Sequence, residues 1–129
     1  MTELSLIPDN EVVYQALRNA KCIDQETGDI SPEAYFIRID GEGNPENGLS
    51  VCLASKCEAE DCCKELKKRY GVVGLNVEFL RSIGLNVQPD PPPPEHAIIV
   101  NMPVRKDNPV EAERFARLLA KHSRFEWKP

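Results

Sequence analysis

A chain of 129 residues, 41% hydrophobic and 29% charged, is the size of one domain, long enough to bury a core and too apolar for wholesale disorder. Its formal charge of −5 is unevenly laid out: residues 1–61 carry 13 acids and 4 bases, residues 62–129 carry 8 acids and 12 bases. An acidic chain is a poor generic binder of nucleic acid, whose affinity rests on neutralised phosphates, and no run approaches the ~20 apolar residues of a membrane span. The segment Met1 to Asp9 lacks the basic start and long apolar stretch of a secretory signal, so a cytoplasmic location is expected.

In chain order, Asp9 or Asn10 can cap a helix reaching about Asn19, with Val13, Leu17 and Ala16 or Ala20 on one face. Gly28, Ser31 and Pro32 mark a loop. Ala34-Tyr35-Phe36-Ile37-Arg38-Ile39, rich in aromatic and β-branched residues, reads as a strand. A polar turn region over 40–48 leads to a second strand, Leu49 to Leu53. Ser55 with Glu58 matches a capping box, which predicts a helix from Lys56 to Arg69 or Tyr70, stopped by Gly71. A short strand at Val72 to Leu75 and a short helix after Asn76, closed by Gly84, come next. Leu85 to Val87 is extended and runs into four prolines, Pro91 to Pro94. His96 to Met102 is the best candidate for an interior strand. Asn108-Pro109-Val110-Glu111 combines cap, first-turn proline and acid, so the final helix starts there and ends near Lys121 to Ser123, leaving Trp127 in a tail. The expected architecture is α+β: one domain over 1–129, a single mixed sheet of about four or five strands covered by about three helices.

Several motifs are incomplete. Cys52, Cys57, Cys62 and Cys63 have the spacing C-x4-C-x4-C-C, without the repeated close pairs of structural zinc sites. On a helix Cys57 and Cys62 would stand roughly 140° apart around the axis and face no common ion. No metal and no cofactor are therefore expected. His96-Ala97 resembles the start of a zinc-deaminase element, but Ile98 stands where the glutamate is needed and no P-C-x-x-C follows. Gly41 and Gly43 lie between two strands among acids that would repel phosphate, so they make no phosphate loop. The proline run could dock a partner, but it suits a stiffened crossing between strands better. His122 and the basic cluster Lys64, Lys67, Lys68 and Arg69 read as favourable helix ends.

A looser constellation is chemically richer. Arg38, Ser50 and His96 each fall in or beside a strand, and strand alternation puts Ser50 with Cys52 on the face opposite Leu49, Val51 and Leu53. If the polar faces converge, Arg38 can clamp a phosphate or carboxylate, Ser50 can orient it, and His96 can serve as acid or base near neutral pH. If they do not, Arg38 and Ser50 face solvent and His96 caps a strand end.

The same three residues lie in a pattern that resembles a family of small uncharacterised bacterial proteins. Its elements here are Ala34-Tyr35-Phe36-Ile37-Arg38, Gly48-Leu49-Ser50-Val51, Leu85 to Val87, a proline-rich turn, His96-Ala97-Ile98 and an alanine-rich last helix, together covering about residues 10–123. The resemblance implies a shared frame for Arg38, Ser50 and His96 and a bacterial source, and it carries no activity.

Two functional readings follow. The first is a small cytosolic accessory protein acting through a protein partner, suggested by the charge asymmetry and the stiff proline segment. The second is a small enzyme or ligand-binding domain for a phosphorylated or nucleotide-like molecule, using Arg38, Ser50 and His96. A cysteine-liganded metal protein is a third.

Overall fold

The computed structural model describes residues 7–129; the reading of the N-terminus as lacking a signal falls mainly on residues 1–6, outside them. Six strands form one sheet: β1 (Val12–Ala16), β2 (Leu49–Leu53), β3 (Val72–Asn76), β4 (Asn86–Pro89), β5 (His96–Val100) and β6 (Arg124–Trp127). Their order is β4-β5-β2-β1-β3-β6 and every neighbouring pair is antiparallel. Two α-helical segments accompany it, the six-residue α1 (Val77–Ser82) and the fourteen-residue α2 (Pro109–His122), with 3-10 turns elsewhere. This corrects the expected mixed sheet under about three helices. The sheet is purely antiparallel and larger, and α2 is the one helix longer than two turns among the described residues.

The differences have identifiable causes. The segment expected as a first helix is β1, because Val12, Val13 and Tyr14 are β-branched or aromatic and the strand is paired on both sides, by β2 and by β3. A helix of ten residues would have had only marginal stability of its own. Ala34 to Ile39 is no strand: Pro32 opens a 3-10 turn through Tyr35, and the Ser31 side chain accepts from the Glu33 N–H. Lys56 to Arg69 is no long helix either. It folds as two 3-10 turns, Ala54–Lys56 and Ala59–Cys63, and the capping box is made by Glu58 with Asp61 instead of Ser55 with Glu58. Ser55 is engaged elsewhere, donating to the Glu11 carboxylate. Trp127 ends a true edge strand, β6, which pairs with β3.

Alternation along the strands buries one face. Leu49, Val51 and Leu53 of β2, Ala97 and Ile99 of β5, Val13 of β1, Val73 and Leu75 of β3 and Val87 of β4 all lie in one core. α2 covers it with Ala116 and Leu119, and the buried Tyr35 of the Pro32–Tyr35 turn belongs to the same cluster. At the end of α2 the His122 ring stacks on Phe79 of α1 with centroids 4.0 Å apart, tying the two helices together.

The start of α2 is built as the sequence indicates, with Pro109 at its first turn and the Asn108 side chain accepting from the Glu111 N–H at 3.4 Å. Asn108→Ala leaves that N–H without its side-chain acceptor and is expected to cost about 1 kcal/mol of folding stability, with Asn108→Ser retaining most of it. Urea denaturation of the two variants checks this; equal midpoints for Ala and Ser would show that the cap carries no weight.

Candidate functional site

The sheet parts at one place. β1 and β2 pair only through Val13 with Leu53 and Tyr14 with Cys52, whereas β1 stays paired with β3 along all of Val12 to Ala16 and β2 with β5 from Leu49 to Cys52. Beyond Tyr14 and Cys52 the two strands are not bonded to each other. A cavity of about 380 Å³ lies there, walled by both strands, by the loop after the Pro32–Tyr35 turn and by the start of β5.

Arg38, Ser50 and His96 all line this cavity. Ser50 reaches it by strand alternation, pointing away from the core face that holds Leu49 and Val51. His96 arrives from the far side of β2, its backbone paired with Cys52. The proline run is the loop of the β4–β5 hairpin, closed by Asp90 N–H to His96 O at 2.9 Å and His96 N–H to Pro93 O at 3.0 Å. Its rigidity therefore sets where the imidazole begins. His96 Nδ1 lies 3.0 Å from the Asp90 carbonyl oxygen and 3.2 Å from its carboxylate. Both partners are acceptors, so Nδ1 carries the proton and a neutral ring keeps its lone pair on Nε2.

Arg38 comes from a loop and not from a strand, so strand parity does not place it. Its carbonyl accepts from the Glu46 N–H at 2.9 Å, and its guanidinium stands 4.0 Å from the Glu46 carboxylate, a long and exposed pair of little strength. The cavity wall also carries Arg18 and Glu33, and Arg105 holds Glu33 at 3.5 Å from outside the wall. A further polar group is Gln15. Its Nε2 donates to Ala34 O at 2.5 Å, while its buried Oε1 has no partner. A buried acceptor without a partner costs free energy. Sequence analysis missed Arg18 and Gln15 because it placed both on a helix; the Val-Val-Tyr run was the available signal for a strand.

Three thiols meet at the edge of the same cavity. The Sγ atoms of Cys52, Cys57 and Cys62 all lie within 4.8 Å of one another, and Cys52 and Cys62 belong to the cavity wall. Cys52 sits at the end of β2, Cys57 follows the first 3-10 turn, and Cys62 lies in the second. Cys57 Sγ donates to Leu53 O at 3.4 Å and Cys62 Sγ approaches Tyr14 O at 3.9 Å. The helix that would have separated Cys57 from Cys62 does not exist, so the geometric argument against a shared ion falls, while the spacing remains unlike that of structural zinc sites. Cys63 points elsewhere, fully buried, with its Sγ on Glu60 O.

The cluster makes its members unequal. A hydrogen bond from Cys62 holds the Cys52 thiol down at about 7, against the opposing effect of burial and with help from nearby His96. Burial and the charge of Cys52 push Cys57 up to about 11. Cys62 is raised further, first because its proton is held by Cys52 and then by burial. One thiolate is thus readily formed, and its neighbours keep their protons while it stays uncompensated.

Among the described residues no helix is long and apolar enough to cross a membrane. No protein-family model, no curated protein and no solved structure matches this chain.

Proposed function

We propose that the cavity between β1 and β2 binds a small phosphorylated, nucleotide-like molecule, with Arg38 as its anion clamp. The observation that carries this reading is that Arg38, Ser50 and His96, contributed by a loop and two strands, line one concavity of about 380 Å³, within the size range of small-ligand sites. Each has a distinct use there. A guanidinium pairs with phosphate oxygens through two parallel N–H donors. The Ser50 hydroxyl can donate or accept. With Glu33 engaged by Arg105, the wall sets Arg18 and Arg38 against Glu46.

The accessory-protein reading is the weaker of the two. Among the described residues the exposed large hydrophobics are Ile39 and Val110. They stand on a loop and on α2, and two separate side chains make no docking patch.

Calorimetric titration with adenosine monophosphate, ribose 5-phosphate and ribose tests the proposal. The two phosphates are expected to bind with an affinity that falls as salt rises, and ribose to bind far more weakly. Arg38→Ala should lower phosphate affinity at least tenfold, since a charge-assisted hydrogen bond contributes about 1.5–3 kcal/mol. Arg117→Ala, on the exposed side of α2, should leave it unchanged. Equal binding by the Arg38→Ala variant, or none by the wild type at millimolar ligand, overturns the reading.

A further inference from the structure

We infer that Cys52, Cys57 and Cys62 form a metal site that holds one Zn2+ through three sulfurs, with its fourth position open towards the cavity. The inference does not depend on the anion-binding reading, because it stands on a different set of atoms.

Geometry is its first support. A tetrahedral zinc with Zn–S bonds of ~2.3 Å places its sulfurs ~3.8 Å apart. The three Sγ atoms already lie within 4.8 Å of one another, so each separation needs to close by no more than about 1 Å on binding. Side-chain rotation on short turns can supply this. The elements that bring the sulfurs together are distinct, and one of them is anchored in the sheet: Cys52 is paired with Tyr14 on one side and His96 on the other. The turn from Ala54 to Lys56 reverses the chain to return Cys57, and the Glu58–Asp61 capping box sets the next turn that delivers Cys62.

Surroundings are the second support. None of the three thiols is fully buried or closed off: each is intermediate in exposure, unlike the buried Cys22 and Cys63. A cysteine serving only as a small hydrophobe would be expected in the core. Here three share one half-exposed spot, where among the described residues their other polar contacts are weak sulfur contacts to backbone carbonyls. Glu95 is close enough to act on the charge of both Cys52 and Cys57, adding a negative potential that favours a cation.

The donor set selects the ion. Three thiolates favour a soft or borderline metal over Mg2+ or Ca2+, and an imidazole beside them suits zinc. Binding forms three Zn–S bonds and releases to solvent the proton of each thiol not already ionised, three at most. The centre then carries a net charge of −1 before a fourth donor is counted, and no oxidant or reductant takes part. Because Cys52 and Cys62 line the cavity, a donor residing there can reach the metal at its open fourth position.

The test uses the full chain, stripped with a chelator under reducing conditions and titrated with Zn2+ and, separately, with Co2+. The inference expects one equivalent of zinc per chain. It also expects a cobalt form with thiolate charge-transfer absorption and the visible bands of a tetrahedral ion. In the wild type, one equivalent of zinc should protect Cys52, Cys57 and Cys62 from alkylation while Cys22 and Cys63 react as before, as read by peptide mass mapping. Replacing Cys57 by Ser or by Ala should weaken zinc by more than the roughly 10–100-fold that losing an outer-shell partner costs. Cys22→Ser should not, with circular dichroism of the metal-free proteins showing the same sheet signal. Substoichiometric zinc, unprotected Cys52, or undiminished affinity in Cys57→Ser each overturns the site. So does a chain from freshly lysed cells that carries a Cys52–Cys62 disulfide and takes no zinc after reduction. A site that takes Cu+ while leaving micromolar Zn2+ unbound overturns the choice of zinc.

Discussion

Ile99→Ala should remove about 2–5 kcal/mol of folding stability, through lost burial and through the cavity that the missing atoms leave behind. Ile99 is fully buried in β5, with Leu49 of β2 and Val87 of β4 as its cross-strand neighbours. Its side chain thus lies at the junction of three strands and cannot be replaced by the movement of one loop. Total stabilities of natural domains run to about 5–15 kcal/mol, so the variant should be close to unfolded or lose a large share of its urea midpoint. Ile99→Val, which removes one methylene, should cost only about 0.5–1.5 kcal/mol. Val110→Ala, at an exposed position on α2, should stay within about 0.5 kcal/mol of wild type. A flat response across Ile99, Val and Ala would mean that β5 is not packed as described.

Gly48→Ala should be nearly as damaging, for a different reason. A Cβ at Gly48 would stand 2.2 Å from the Ile99 carbonyl oxygen and 3.1 Å from its carbon. These are backbone atoms of the adjacent strand, which no rotamer change can move aside. The entry to β2 must therefore shift away from β5, at a cost in the upper part of the ~1–3 kcal/mol range typical of overpacking. Since the β2–β5 register sets Cys52 opposite His96, the same variant should weaken zinc and phosphate binding together. Gly41→Ala is the matched control, because a Cβ there meets nothing within 4 Å. Denaturant titrations of both variants decide the point: equal midpoints would contradict the close approach of Gly48 to Ile99.

Legibility in the sequence varied with how local the cause was. β2 could be read because Leu49-Ser50-Val51-Cys52-Leu53 alternates strictly, and the same alternation puts Ser50 and Cys52 on the cavity side. The start of α2 could be read because cap, proline and acid are all within four residues. The β1 segment is ambiguous in the sequence because Val13 and Leu17, four apart, satisfy a helical spacing as well as an extended one. Partners remote in sequence, from Cys52 to Asn76, decide between the two. The thiol cluster was hidden by a similar ambiguity in another place. Ser55 with Glu58 has the pattern of a capping box, and on the helix that pattern predicts Cys57 and Cys62 diverge. The real box is at Glu58, one 3-10 turn later.

The amino-acid sequence alone determined the apolar alternation of β2, the boundaries of α2, the stiff approach to His96 and the trio of Arg38, Ser50 and His96 as the residues with chemistry to offer. Only the tertiary structure decided that the sheet is antiparallel with β1 at its interior, that β1 and β2 separate to leave a cavity, and that three cysteines meet at its edge. The division follows from where the free energy resides. Caps and alternation act over a few residues and are written locally, whereas strand order and the meeting of side chains depend on hydrogen bonds and burial between segments far apart in the chain.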